Sequence, residues 1–155
     1  MRKFFLILST FTMVFSAWGA DNVTALKMAL DDEYKAKATY LQVIEDFGDR
    51  RPFSNIVKSE QRHIDALLPF FQKYGVAVPS NPYLGNVPSY NSRKEACKAG
   101  VQGEIANVAL YDKIFSMTDD AALIKVFEQL QWASQNNHLP AFTRCASGGR
   151  SRPRR

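Results

Sequence analysis

The sequence predicts an all-α protein, a bundle of four helices with one long crossover between the second and the third. Three observations point there. Four stretches carry apolar residues at three- and four-residue intervals, the helical period. The first and third links between them are short, and the second is long and rich in Pro, Gly and Asn. No stretch alternates apolar and polar residues as a half-buried strand does, and no internal repeat stands out.

The first helix is expected from about Asn22 to Phe47, with Leu26, Leu30, Glu33, Tyr40, Ile44 and Phe47 on one face and Gly48-Asp49 ending it. The second runs from about Ser54 to Tyr74, with Ile56, Glu60, His63, Leu67, Phe71 and Tyr74 as its stripe and Gly75 as its stop. Ser92-Arg93-Lys94-Glu95 opens the third, because serine with glutamate three residues later satisfies two free donors of a helix start. Its stripe is Cys97, Glu104, Val108, Tyr111 and Phe115. The fourth follows Thr118-Asp119-Asp120, a cap whose acidic residues suit the helix dipole. Its stripe is Ile124, Phe127, Gln131, Gln135, His138, Phe142 and Cys145. Pro69 and Pro140 fall late in helices two and four. Each lacks an amide N–H and is expected to kink or loosen its helix locally.

The links set the topology. Short connections make antiparallel neighbours of helices one and two, and of three and four. The stretch Gly75 to Asn91 has 17 residues. Extended, such a stretch spans roughly 50 Å, more than the ~30 Å length of a 20-residue helix. It can therefore run the length of the bundle and make helices two and three parallel. An ordinary up-down bundle with a floppy loop is the alternative.

The two ends of the chain account for its charge. Arg2 and Lys3 precede the apolar run Phe4 to Phe15, and the small residues Ser16, Ala17, Gly19 and Ala20 follow, with Trp18 among them. This is the layout of a secretory signal peptide, cut after Gly19 or Ala20, and the expected location is periplasmic or secreted. The apolar run is short for a bilayer span; an uncleaved anchor is the other reading. Ser147 to Arg155 has four arginines and little to bury, so a disordered tail is expected. The domains are then 1–20 signal peptide, 21–146 helical domain and 147–155 tail. Of 20 basic residues, two lie in the leader and four in the tail, leaving 14 against 15 acidic residues in the body. A pI near 9.3 thus does not indicate a nucleic-acid partner. Arg50-Arg51 and Arg93-Lys94 sit at helix ends and read as solvated surface. The tail is a candidate for weak contact with anionic envelope surfaces. A homodimer is allowed.

The stripes contain an anomaly. Glu33, Glu60, His63, Glu104, Gln135 and His138 occupy positions that should face the core. Buried carboxylates cost several kcal/mol unless paired or bound to metal. The chain has two histidines, and both lie on these stripes. Glu60 and His63 are three residues apart and so project from one helix face. Glu-x-x-His is the spacing of di-iron carboxylate bundles, which draw single glutamates from two further helices; Glu33 and Glu104 supply those here. Counted from the shared end of the bundle, these residues fall within roughly 10 Å of one level at 1.5 Å per residue.

With these residues the chain resembles the ferritin-like superfamily, and within it a prokaryotic family of ferritin-like domains of unknown function. The resembling stretches are Asp31-Asp32-Glu33 through Tyr40, Phe53-Ser54-Asn55-Ile56 through Ser59-Glu60-Gln61-Arg62-His63, Gly103-Glu104-Ile105, and Asn137-His138-Leu139 with Ala141-Phe142. The resemblance implies a ferritin-like four-helix bundle with an internal metal site whose ligands are Glu33, Glu60, His63, Glu104 and His138. It also implies a catalytic role for Tyr40, as a hydrogen-bond donor to a ligand or a redox side group. In the fourth helix the chain departs from a symmetric di-iron pattern, which places Glu three residues before His138, where this chain has Gln135. Ferritin ferroxidase centres also use a Gln on this helix, so Gln135 is retained as a ligand. Three carboxylates offset three of the four charges on two divalent ions, so weaker second-site occupancy or a mononuclear site is expected. Oxygen and nitrogen donors fit iron or manganese, with zinc an alternative.

Cys97 lies seven residues before Glu104 and Cys145 seven after His138. On antiparallel helices, a facing pair at Glu104 and His138 implies another two turns away at the cysteines. Export indicates an oxidising compartment, so a disulfide is expected; free thiols or further metal ligands are the alternatives. A loop of 49 residues closed this way is worth roughly 4 kcal/mol in the chain-entropy model.

The expected function is an exported metalloprotein with ferroxidase-like or oxygen- or peroxide-reducing activity. The competing reading is a non-enzymatic envelope bundle with a metal-free polar core. Nothing resembles a Ser/His/Asp triad or a phosphate-binding glycine loop.

Overall fold

The computed structural model describes residues 18–148, with side chains from Asp21 onward. Most of the expected signal peptide, at 1–17, and nearly all of the expected tail, at 149–155, lie outside the described residues. The described chain is all-helical: α1 (Trp18–Phe47), α2 (Phe53–Lys73), α3 (Arg93–Phe115), α4 (Ala121–Ala133), a π turn (Ser134–His138) and α5 (Leu139–Ala146). No strand occurs among the described residues. None of the described helices is long and apolar enough to cross a membrane.

The caps form where the sequence places them. Ser92 Oγ accepts from the Glu95 amide at 3.2 Å and starts α3. Asp120 Oδ1 accepts from the amides of Ala122 and Leu123 at 3.1 and 3.4 Å and starts α4. The same aspartate takes a hydrogen bond from Tyr74 at 2.5 Å and an ion pair from Lys73, so the end of α2 and the start of α4 share one end of the bundle. At the other end, Arg93 donates to the Arg51 carbonyl at 3.1 Å, placing the start of α3 beside the start of α2. Helices α2 and α3 therefore run parallel. Residues 74–92 return along the bundle between them, and Tyr83 donates to Asp31 of α1 on the way at 2.8 Å. The long link is the crossover that its length allows.

Two expectations about proline resolve differently. α2 continues unbroken through Pro69, which is exposed near its end. Pro140 stands two residues after the π turn, at whose end the Leu139 amide donates to the Ser134 carbonyl five residues back. Pro140 has no amide to give to residue 136 and its ring would press on that carbonyl; widening the preceding turn relieves both. The expected single fourth helix is thus α4 and α5 joined through a wide turn.

The inward face of α4 lies mostly one residue ahead of the expected stripe. Leu123, Phe127, Leu130, Ser134, His138 and Phe142 are buried, whereas Ile124 is half-buried and Gln135 is exposed. On α3 the buried positions are Ala96, Cys97, Gly100, Glu104, Asn107, Tyr111 and Ile114, with Val108 and Phe115 as shoulders.

Apolar packing forms two clusters. One gathers Leu26, Leu30, Leu67, Phe71, Ile114, Leu123 and Phe127, and the other Tyr40, Phe53, Ile56, Cys97 and Phe142. A fully buried Leu or Phe is worth roughly 1.5–3 kcal/mol, so these clusters drive the association of the helices. In the second, α5 lies so close to α3 that a Cβ at Gly100 would meet the Phe142 ring at 2.8 Å. Cys97 and Cys145 join the same two helices as a disulfide, with Cα atoms 5.8 Å apart.

Candidate metal centre

Between the two apolar clusters every helix of the bundle contributes polar residues. Glu33 follows Leu30 on α1; Glu60 and His63 lie between Ile56 and Leu67 on α2; Glu104 lies between Cys97 and Tyr111 on α3; His138 follows Ser134 in the π turn. All are buried: Glu33 is 1%, Glu60 2%, Glu104 3%, His138 3% and His63 7% exposed.

Glu60 is the centre of the cluster. Its Oε2 lies 2.9 Å from His63 Nδ1, and its Oε1 lies 3.3 Å from His138 Nδ1. Glu33 Oε2 is also 3.1 Å from His63 Nδ1, and Glu104 Oε2 is 3.5 Å from His138 Nδ1. The result is two trios that share one glutamate: Glu33, Glu60 and His63, and Glu60, Glu104 and His138. In each trio one ligand-type atom per residue lies within 4.8 Å of the others. The imidazole rings of His63 and His138 stack with centroids 5.5 Å apart.

Tyrosines hold the two outer glutamates. Tyr40 donates to Glu104 Oε1 at 2.7 Å, and Tyr111 donates to Glu33 Oε1 at 2.8 Å. Each tyrosine stands seven residues after the glutamate of its own helix and bonds the glutamate of the other. Burial, with the neighbouring carboxylates, pushes both hydroxyls well above the usual tyrosine range, so both remain protonated donors.

The electrostatics follow from burial and pairing. Burial, reinforced by the negative charge of Glu60, raises Glu33 to about 8. Burial also opposes ionisation of Glu60, but the flanking His138 and His63 hold it down, at about 2. The histidines lose from burial and gain more from the carboxylates: His63 rises to about 10 beside Glu33 and Glu60, and His138 to about 9 beside Glu104 and Glu60. Metal-free, the cluster carries its positive charge on imidazolium.

The donor set fits a transition-metal ion. Carboxylate oxygen and imidazole nitrogen suit iron, manganese or zinc. His138 Nδ1 is buried and has no hydrogen bond, although two carboxylate oxygens lie within 3.5 Å; the directions are wrong for one. A ring nitrogen turned into a carboxylate cluster without a hydrogen bond is placed as a ligand atom is. Either trio can hold a metal ion, with Glu60 shared between them.

Of the residues expected at this site, Glu33, Tyr40, Glu60, His63, Glu104 and His138 converge. Gln135 does not: its side chain is exposed because the buried phase of α4 runs through Leu123, Phe127, Leu130 and Ser134, which leaves position 135 one residue off that face. Three further residues join the cluster without having been expected there. Tyr111 was readable in retrospect, since it repeats the seven-residue spacing of Glu33 and Tyr40. Asp32 and Asn107 are linked by a 2.6 Å hydrogen bond from Asn107 Nδ2 to Asp32 Oδ2, and burial raises the Asp32 carboxyl. No pattern of residue type marks them in the sequence.

Residues 22–86 match a domain family described as an uncharacterized protein domain, DUF2202. The chain is similar to that family. It is also 29% identical over 129 residues to the uncharacterized protein MJ0754 of Methanocaldococcus jannaschii, across 74% of this chain and 69% of the relative. The crystal structure of the hypothetical protein MJ0754 from the same archaeon superimposes with a TM-score of 0.72 at 26% identity, covering 84% of this chain and 83% of the other. The likeness thus extends over the helical domain, beyond the matched residues 22–86.

Proposed function

We propose that this protein is an exported, ferritin-like metalloprotein that binds one or two ions of iron or manganese in the bundle core and acts on ferrous iron, oxygen or peroxide. The observation that carries the reading is Glu60, whose two oxygens each face a different histidine. A carboxylate shared by two trios is what a bridged pair of ions requires, and single occupancy uses either trio. Glu33, Glu60 and His63 would hold one ion, and Glu104 and His138 with Glu60 the other; a bound iron supplies the electrons for reducing oxygen or peroxide. Tyr40 and Tyr111 orient the outer carboxylates through their hydroxyl protons. The apolar clusters flank the site on either side. Each trio offers two carboxylates and one imidazole, so the two halves are matched in donor type. Export rests on the basic, apolar and small-residue leader.

A second reading is favoured by the same ion pairs. Glu33, Glu60 and His63 satisfy one another at 2.9–3.1 Å, so the cluster also stands as a metal-free polar core of a non-enzymatic bundle. Ferrous oxidation followed by absorbance separates the two. The metalloprotein reading expects oxidation by the wild type and its loss in Glu60→Ala; equal rates favour the polar core.

A further inference from the structure

A cavity of about 250 Å³ lies in the seam between α1 and α3. Its inner lining includes Glu60, Glu104 and Ser134, all buried, and exposed Lys35 lies toward solvent. It therefore joins the surface to the carboxylates of the candidate metal centre.

The cavity carries a negative excess and an unused acceptor, beside the hydroxyls of Thr39, Tyr90 and Ser134, which can accept as well as donate. Asn107, 5% exposed, gives its amide nitrogen to Asp32, and its Oδ1 is buried with no hydrogen bond. The Tyr40 hydroxyl has committed its proton to Glu104. Three carboxylates, Asp32, Glu60 and Glu104, face one exposed ammonium. An occupant that presents donors and carries positive charge suits such a wall. A hydrated divalent cation does both, since its outer surface is water hydrogens. At about 30 Å³ per water, six waters need roughly 180 Å³, which the cavity accommodates.

Two glycines of α3 line this space. Gly100 is fixed by contact, because a Cβ there would meet Phe142 at 2.8 Å. Gly103 is not: a Cβ would lie 3.9 Å from the Tyr40 hydroxyl, an ordinary contact. A glycine inside a helix costs about 1 kcal/mol relative to alanine, and here packing does not demand it. A longer side chain at this position would extend into the cavity beside Tyr40.

We propose that this cavity is the loading route of the metal centre: a hydrated divalent cation is held first by the Asp32 carboxylate and Asn107 Oδ1, then passes inward to Glu104 and Glu60. Asp32 and Asn107 are way-station residues and not resident ligands. The inference rests on the metal-binding reading.

The test is stopped-flow uptake of Co²⁺ by the metal-free full chain, followed by absorbance, with final stoichiometry measured separately. Asp32→Asn removes the first charge, and Gly103→Leu plugs the cavity while improving helix propensity. Both are expected to slow loading about tenfold or more while final stoichiometry stays that of the wild type. Added salt should slow the wild type more than Asp32→Asn. An unchanged rate in either variant overturns the route and leaves metal binding standing. A lower final stoichiometry in Asp32→Asn makes Asp32 a resident ligand and also overturns the route. Absence of Co²⁺ uptake by the wild type overturns the route and the metal-binding reading together.

Discussion

Tyr111 on α3 donates a 2.8 Å hydrogen bond to Glu33 on α1. The bond has a counterpart in reverse, from Tyr40 on α1 to Glu104 on α3. Because α1 and α3 run antiparallel, a seven-residue step on each helix brings each tyrosine level with the other's glutamate. The two bonds fix the outer carboxylates from opposite ends of the cluster.

Removing one donor should cost about 1–3 kcal/mol, because the glutamate oxygen it served stays buried. Tyr111→Phe is expected to lower the unfolding free energy of the metal-free protein, read from urea titration, by that amount without changing its helix content. Tyr111→Phe as stable as the parent would show that the bond is replaced by water.

The wide turn before Pro140 makes a second prediction. Gln135 points to solvent and His138 points inward. Gln135→Ala should leave bound metal unchanged, and His138→Ala should reduce it, most at the half-site shared with Glu104. Equal loss in both variants, measured by metal analysis, would return Gln135 to the ligand set.

This contrast also marks what was legible in the sequence. Glu33, Glu60, His63 and Glu104 could be read because α1, α2 and α3 keep a regular helical period through them. The crossover was legible because 17 residues can span the bundle. Gln135 was misread because the stripe was phased on Ile124 and Gln131, whereas the buried face of α4 carries Leu123, Leu130 and Ser134, one residue earlier. Asp32 and Asn107 stayed hidden for another reason: their role comes from facing each other across the seam between α1 and α3, which no single helix pattern encodes.

The titrations set the pH dependence of the metal-free protein. His63 and His138, at about 10 and about 9, stand above the ordinary imidazole value of 6.5. The fold therefore favours their protonated forms; that contribution is complete below pH 6.5 and is lost as pH rises through 9 to 10. Glu33, raised from 4.5 to about 8, adds to the loss between those values. Glu60, lowered from 4.5 to about 2, works the other way: its contribution is present above 4.5 and lost as pH falls toward 2. Thermal melts of chelator-treated protein should therefore fall from pH 6.5 toward pH 10, and should fall again below pH 4.5. A melting temperature that rises steadily from pH 6.5 to 10 would contradict the imidazolium–carboxylate pairing.

The central claim is that the shared Glu60 and its neighbours hold metal. Quantitative metal analysis of the purified chain, taken from its native compartment and again after incubation with ferrous iron, tests it most directly. The cluster predicts about one or two transition-metal ions per chain, retained through gel filtration. A chain that carries none after incubation would contradict it.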